Sequence, residues 1–273
     1  MKLTVLMDNH ALPGPGLRAE HGFACHIQDG SHSVLLDTGV SDLTLTNAAA
    51  LGIDLGKLDA VALSHGHFDH TWGLPALLAL PRAEGKAPLR LVAHPAAVEV
   101  KQRANGESFG CPLSKEELAE HCKLELSAEA QQVSPNLTLM GRIPRKLEFE
   151  PTPSMGKRRS NGVWLPDGLP DDTALCCKTV KGIFVVTGCS HSGICNIIRQ
   201  VKELFPGQPI CGVLGGFHLK EDDDRAKATT AWLAQQHIPV WYPCHCTGLP
   251  FKGAMYAAGL QVRETGVGLT LEL

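Results

Sequence analysis

The stretch ALSHGHFDHTWGL, residues 62–74, sets His65, His67, Asp69 and His70 within six positions, directly behind the apolar run LDAVAL. A short apolar run ending in a tight turn reads as a buried strand that delivers its next residues to a sheet edge. In the loop beyond the strand, side chains two apart can project to one side, so His65 and His67 can share one ion through their imidazoles. Asp69 and His70 lie one turn further on and can reach a second ion. Imidazole and carboxylate suit zinc, iron or manganese. Two such ions about 3.5–4 Å apart form a template that activates water and clamps the oxygens of an ester or phosphoester. The cluster contains no thiolate, which favours an open catalytic site over a closed structural zinc. A histidine-rich surface turn without metal is the competing reading, and four donor-type side chains behind one strand weigh against it.

Further histidines arrive in similar settings. VVTGCSHSG sets His191 just past an apolar strand, and VWYPCHCTG does the same for His245. His218, in LGGFHLK, also ends a strand and is a candidate ligand or substrate contact. Any one of these could be a core histidine with its hydrogen bonds satisfied, but three strand-end clusters in one chain are hard to attribute to chance. Asp37, in LLDTG, is read as orienting a metal-bound histidine, with direct ligation or an ordinary turn aspartate as the alternatives.

The rest of the chain fits a folded enzyme. Its 273 residues are 44% hydrophobic and 19% charged, enough for one large domain or two small ones with a buried core. A formal net charge of -3 argues against nucleic acid or an anionic membrane as the partner. No apolar segment approaches the ~20 residues of a membrane span, and MKLTVLMDNH lacks the apolar core of an export signal. The ten cysteines include the adjacent pair Cys176–Cys177, and Cys244 and Cys246 flanking a histidine, a poor layout for disulfides. They are read as reduced thiols of a cytoplasmic protein, most of them small buried apolar residues.

Along the chain, KLTVLM, FACHIQ and HSVLLDTG read as strands, the last two joined by a turn at Asp29–Gly30. NAAALGIDL reads as a short helix ended by Gly52, GLPALLAL as a helix leaving the histidine cluster, LRLVAHP as a strand and AAVEVKQR as a helix. Ser114 to Glu117 form a capping box for another helix. Residues 141–172, rich in proline, glycine and charge, read as a long loop or lid. In the second half the strands ALCCKTV, GIFVVTGCSH, ICGVLGG, VWYPCH and VGLTLEL surround helices over GICNIIRQVKELF and DRAKATTAWLAQQH. Strands interleaved with helices in both halves indicate a layered α/β or α+β fold.

Taken in order, LLDTG, SHGHFDH, the mid-chain strand with its histidine and the late strand with its histidine resemble the metallo-β-lactamase superfamily over nearly the whole chain. EHGFA, VVTGCSHSGICNI, GGFHL and PCHCTG are similar to the branch named for dihydropterin-ribofuranosyl-aminobenzene-phosphate synthase. Many bacterial members of that branch are described only as metal-dependent hydrolases. The resemblance implies a single α+β domain over residues 1–273, a four-layer αβ/βα sandwich with its active site at one edge between two β-sheets. It also implies that His65, His67, Asp69, His70, His191 and His245 hold two divalent ions, zinc first, with iron or manganese as alternatives. Two positions depart from the pattern. Cys189 stands in VVTGCSH where superfamily hydrolases often carry a bridging aspartate, which leaves Cys189, His191 and His218 as alternatives for that role. Trp72 stands where the branch usually has glycine, and an indole beside the metals would narrow the pocket.

The function expected is hydrolysis, with hydroxide held between the metals attacking a carbonyl or phosphorus centre. Asp69 accepts or relays the proton, and His218 is the second catalytic candidate. The partner expected is a small-molecule substrate that can carry phosphate, with no nucleic acid and no membrane; the oligomeric state is left open. Lys157, Arg158 and Arg159 in the long loop could meet a phosphate, although a solvated loop is the favoured reading, and His94 and Arg103 are weaker substrate-contact candidates on the same grounds. The alternatives are a synthase-like transferase, using the metals to hold a pyrophosphate leaving group, and a non-catalytic protein that binds metal and a phosphate-like ligand.

Overall fold

The computed structural model describes residues 1–150 and 154–273. The first half forms β1 (Lys2–Met7), β2 (Ala24–Asp29), β3 (His32–Leu36), β4 (Ala60–Ala62), β5 (Arg90–Ala93), β6 (Val100–Gln102), β7 (Lys123–Leu126), β8 (Gln131–Ser134) and β9 (Leu137–Leu139). The second half adds β10 (Lys157–Ser160), β11 (Val163–Pro166), β12 (Ala174–Thr179), β13 (Gly182–Thr187), β14 (Ile210–Gly215), β15 (Trp241–Pro243) and β16 (Thr270–Glu272). Helices α1 (Leu43–Ala50), α2 (Phe68–Thr71), α3 (Leu74–Leu78) and α4 (Lys115–His121) belong to the first half. Helices α5 (Ile194–Leu204), α6 (Asp224–Ala234) and α7 (Leu249–Ala257) belong to the second.

The strand order is β16-β1-β2-β3-β4-β5-β7 in one large sheet, β15-β14-β13-β12-β9-β8 in the other, and β11-β10-β6 in a small third sheet. Side chains alternate across a strand, so a strand covered on both faces reads as a continuous apolar run. In β3, Val34 and Leu36 face the opposite sheet while Leu35 faces the helices. In β13, Phe184 and Val186 point inward and Ile183 and Val185 outward. Three apolar clusters result. One packs Ala48, Leu74, Leu77 and Leu118 of the first-half helices on the first sheet, one fills the space between the sheets, and one packs Ile197, Val201, Leu233 and Phe251 on the second sheet. The layers are therefore helix, sheet, sheet and helix, the four-layer α+β sandwich. No helix among the described residues is long and apolar enough to cross a membrane.

Two segments differ from the sequence expectation. AAVEVKQR is not a helix: Pro95–Val98 make one 3-10 turn and Val100–Gln102 form β6, paired with β10. The β-branched Val98 and Val100 fit a pleated edge better than a helix. Residues 141–172 are not one loop, because Lys157–Ser160 and Val163–Pro166 pair as a hairpin turned at Asn161–Gly162; residues 151–153 of that segment lie outside the described residues. The β8–β9 hairpin and α7 carry no expectation from the sequence.

Candidate active site

The parallel strands aim their carboxyl ends at one place. Asp37 follows β3, His65 follows β4, Cys189 and His191 follow β13, His218 follows β14 and His245 follows β15. Such ends are where layered α/β proteins build sites, because the loops there are free to diverge. Asp37, Ser190, His218 and His245 hold left-handed backbone with φ of 58°, 55°, 50° and 51°. Each costs on the order of 1–3 kcal/mol and persists only where surrounding structure enforces it. Gly66 and Gly188 permit the close packing: a Cβ at Gly66 would collide with Ala97 O, and one at Gly188 with Ser64 Oγ.

Hydrogen bonds then turn several imidazoles the same way. Ser64 Oγ donates to Asp37 Oδ2 at 2.6 Å, so it accepts from Nδ1 of His65 at 3.0 Å. Nδ1 of His245 donates to Asn9 Oδ1 at 3.0 Å, and Nδ1 of His70 donates to Asp37 Oδ2 at 2.7 Å. In His65 and His245 the proton therefore sits on Nδ1 and the Nε2 lone pair points into the site, the tautomer a metal requires. Burial opposes charge on His70, but the carboxylates of Asp69 and Asp37 outweigh it and hold the ring up to about 9. A cation bound by its Nε2 would take the place of the proton there. Nε2 of His65 and His67 and Nδ1 of His218 are buried without a hydrogen-bond partner among the described residues. Leaving such atoms unmet is costly, and a bound cation relieves it. The residues present therefore fit a metal centre.

Among the described residues, donor atoms gather in three sets, each within 4.8 Å: Asp69, His70, Cys189 and His245; His65, Cys189 and His191; and Cys189, His218 and Cys246. The His67 ring lies beside the second set without a donor atom in it, 4.5 Å from His65 and 4.9 Å from His191 between centroids. Burial alone would raise the pKa of Asp69. The imidazoles of His70, His21 and His245 reverse this and hold its carboxyl well below the usual carboxylate range. Asp69 Oδ2 lies 3.0 Å from His21 Nε2 and 3.3 Å from His245 Nε2.

The donors open into a cleft of about 610 Å³ whose lining also includes Phe68, Phe109, Arg103 and Lys220. A larger surface cavity of about 900 Å³, lined by Arg142, Arg145 and Leu169, contains none of these donors, so the chemistry belongs to the smaller cleft.

The family model of the metallo-β-lactamase superfamily matches residues 20–207, more than half of the chain. The chain belongs to the metallo-β-lactamase superfamily. Within it, the chain is 31% identical to the uncharacterized protein MJ0448 of Methanocaldococcus jannaschii, over 90% of each chain. It is 28% identical to the 7,8-dihydropterin-6-methyl-4-(beta-D-ribofuranosyl)-aminobenzene-5'-phosphate synthase of the same organism, over 91% of this chain and 88% of that one. The crystal structure of Tm1679, a metal-dependent hydrolase of the β-lactamase superfamily, is similar with a TM-score of 0.83 at 30% identity, covering 100% of this chain and 99% of that one.

The metallo-β-lactamase frame shows which candidates reach the cleft. His67, Asp69, His191 and His245 line the cleft, His218 lines it beside His191 at 4.5 Å between centroids, His65 and His70 are fully buried among the same donors, and Asp37 stands behind His70. Arg103 also reaches the cleft. Trp72 does not narrow it: the indole is 41% exposed, donates from Nε1 to Gly110 O at 2.9 Å and packs edge-on against Phe68. Lys157, Arg158 and Arg159 lie outside the cleft lining. Lys157 sits over the Trp164 ring, Arg158 pairs with Glu99 at 2.5 Å, and Arg159 turns to Gly162 O. His94 is also outside, its Nδ1 accepting from Ala96 N to cap the turn after β5.

Several residues escaped the sequence reading. His21, in EHGFA, reaches Asp69, and Cys246 closes the third donor set. Behind the site, Asp172 accepts from the backbone N–H groups of His191 and Ser192, and Asp171 Oδ2 accepts from Gly66 N at 2.8 Å. Lys101, fully buried, is 3.1 Å from Asp171 and 2.8 Å from Asp167. Acidic residues just ahead of β12 were the available signal for the two clamps.

Proposed function

We propose that this superfamily member is a metal-dependent hydrolase of a small ester or phosphoester, with two divalent ions, zinc first and iron or manganese as alternatives. The observation that carries the reading is the convergence of two imidazole-rich donor sets on one cleft. His65, His67 and His191 would hold one ion, and Asp69, His70 and His245 the other. A divalent pair held there supplies Lewis acidity and a water of lowered pKa.

The chain's own residues do the rest. Asp69, kept ionised by its imidazole neighbours, is placed to accept and relay a proton from the attacking water. His218, whose Nδ1 has no hydrogen-bond partner among the described residues, meets the substrate and returns a proton to the leaving group. The Arg103 guanidinium lies 5.2 Å from the Phe109 centroid and 6.0 Å from that of Phe68, an arrangement that holds a cation at the rim. Together with Lys220 it favours a phosphate or carboxylate substituent. All ten cysteines are free thiols, which supports a reducing, cytoplasmic setting.

The identity to the synthase favours one second reading, in which the same donors hold a pyrophosphate leaving group during transfer. An aryl phosphodiester and activated ester panel, run beside a pterin pyrophosphate with and without an arylamine-ribose phosphate, separates the two. Metal-loaded protein is expected to hydrolyse at least one ester, with activity lost to chelator and restored by zinc or manganese. Consumption of the pterin pyrophosphate only with the arylamine present replaces hydrolysis by transfer. Inertness throughout, with a phosphate-like ligand retained, leaves a binding protein.

A further inference from the structure

Among the described residues, Cys189 is the residue shared by all three donor sets. Its Sγ lies 3.2 Å from His70 Nε2 and within 4.8 Å of donor atoms of Asp69 and His245 on one side and of His65 and His191 on the other. Buried free cysteines ordinarily pack as small apolar side chains. Cys25, Cys177 and Cys244 do so between the sheets, Cys176 and Cys195 beneath the second-half helices, and Cys122 beneath the first-half helices. Cys189 is equally buried, at 2% exposure, yet belongs to none of these clusters. Its neighbours are imidazoles, a carboxylate and the Cys246 thiol.

The turn that carries it is fixed. Ser190 Oγ donates to Gly216 O at 2.7 Å, Gly216 N donates to Gly188 O at 2.8 Å, and Asp172 holds the next amide. The backbone that carries the sulfur is therefore fixed on both sides of the residue.

We propose that Cys189, as a thiolate, bridges the two metal ions of this site, an inference that rests on the metal-dependent reading above. The S–H bond breaks on loading, its proton passes to solvent, and the sulfur lone pairs form two metal bonds with no change in oxidation state. Zinc–sulfur bonds are longer than zinc–oxygen bonds, about 2.3 Å against about 2.0–2.2 Å. A sulfur bridge also favours zinc or iron over the harder manganese and magnesium. Cys246 shares only the third set, with His218 on the cleft wall, and does not bridge.

Cobalt(II) loading of the full chain tests this, read by cobalt per chain and by the near-ultraviolet thiolate-to-cobalt absorption. Wild type and Cys246→Ser are expected to bind two ions and show the band. Cys189→Ser is expected to lose the band and to bind the second ion at least ~10-fold more weakly. Cys189→Asp, which keeps an anionic donor if the serine variant folds poorly, is expected to bind two ions without the band. A band that survives in Cys189→Asp or disappears in Cys246→Ser overturns the bridge. Two cobalt ions bound by wild type without the band overturn it while the metal-dependent reading stands; no cobalt bound overturns both.

Discussion

Replacing Lys101 with methionine is expected to destabilise the metal-free protein by about 3–5 kcal/mol, the cost of leaving buried charge without its partner. The lysine is fully buried between Asp167 and Asp171. Burial opposes its charge, yet the two carboxylates raise its pKa, so the site is built around a cation. The effect reaches the metal centre through Asp171, whose other oxygen holds the amide of Gly66 between His65 and His67. Loosening that turn is expected to weaken metal binding by ~10–100-fold, the range for partners that orient ligands. Denaturant unfolding of the chelated protein gives the first number and competitive metal titration the second. The triple change Lys101→Met, Asp167→Asn, Asp171→Asn removes the stranded charge and is expected to recover much of the stability. A single variant as stable as wild type would show that the triad does not hold this part of the fold.

His67→Ala acts at the other end of the same turn and is expected to look different. Nε2 of His67 has no hydrogen-bond partner among the described residues, and its ring lies 5.0 Å from Phe109 between centroids. Burial, the first of its causes, pushes its pKa down to about 3, so at neutral pH the ring is an uncharged donor ready for a cation. Removing it is expected to cost more than the ~100-fold in metal affinity that losing an outer partner costs, with activity falling in step. Bound metal stabilises the folded state by mass action, so chelation lowers the melting temperature of wild type. In His67→Ala that drop is expected to shrink toward zero. Calorimetry with and without chelator reads it, and an unchanged drop together with full metal content removes His67 from the site.

Much of the site could be read from the chain because its donors are local. His65, His67, Asp69 and His70 occupy one turn, and His191, His218 and His245 each follow an apolar strand buried on both faces. What escaped depends on long-range geometry. Lys101 sits in a strand of polar sequence, and its partners come from positions 66 and 70 residues away. Trp72 was misjudged because its direction is set by the carbonyl of Gly110 rather than by its neighbours in sequence. The basic run Lys157–Arg159 belongs to a strand rather than a solvated loop, because β-pairing and Glu99 hold it. Cys189 was visible as a departure, but only its place among three donor sets gives it a role.

The central claim is that two divalent ions held by these donors make the chain a hydrolase. Chelator-stripped protein titrated with zinc, following ester or phosphodiester cleavage and bound metal together, tests it most directly. Activity absent at the start and saturating at two ions per chain is the expected result. Full activity in the stripped protein, or two bound ions with no turnover of any ester, would contradict it.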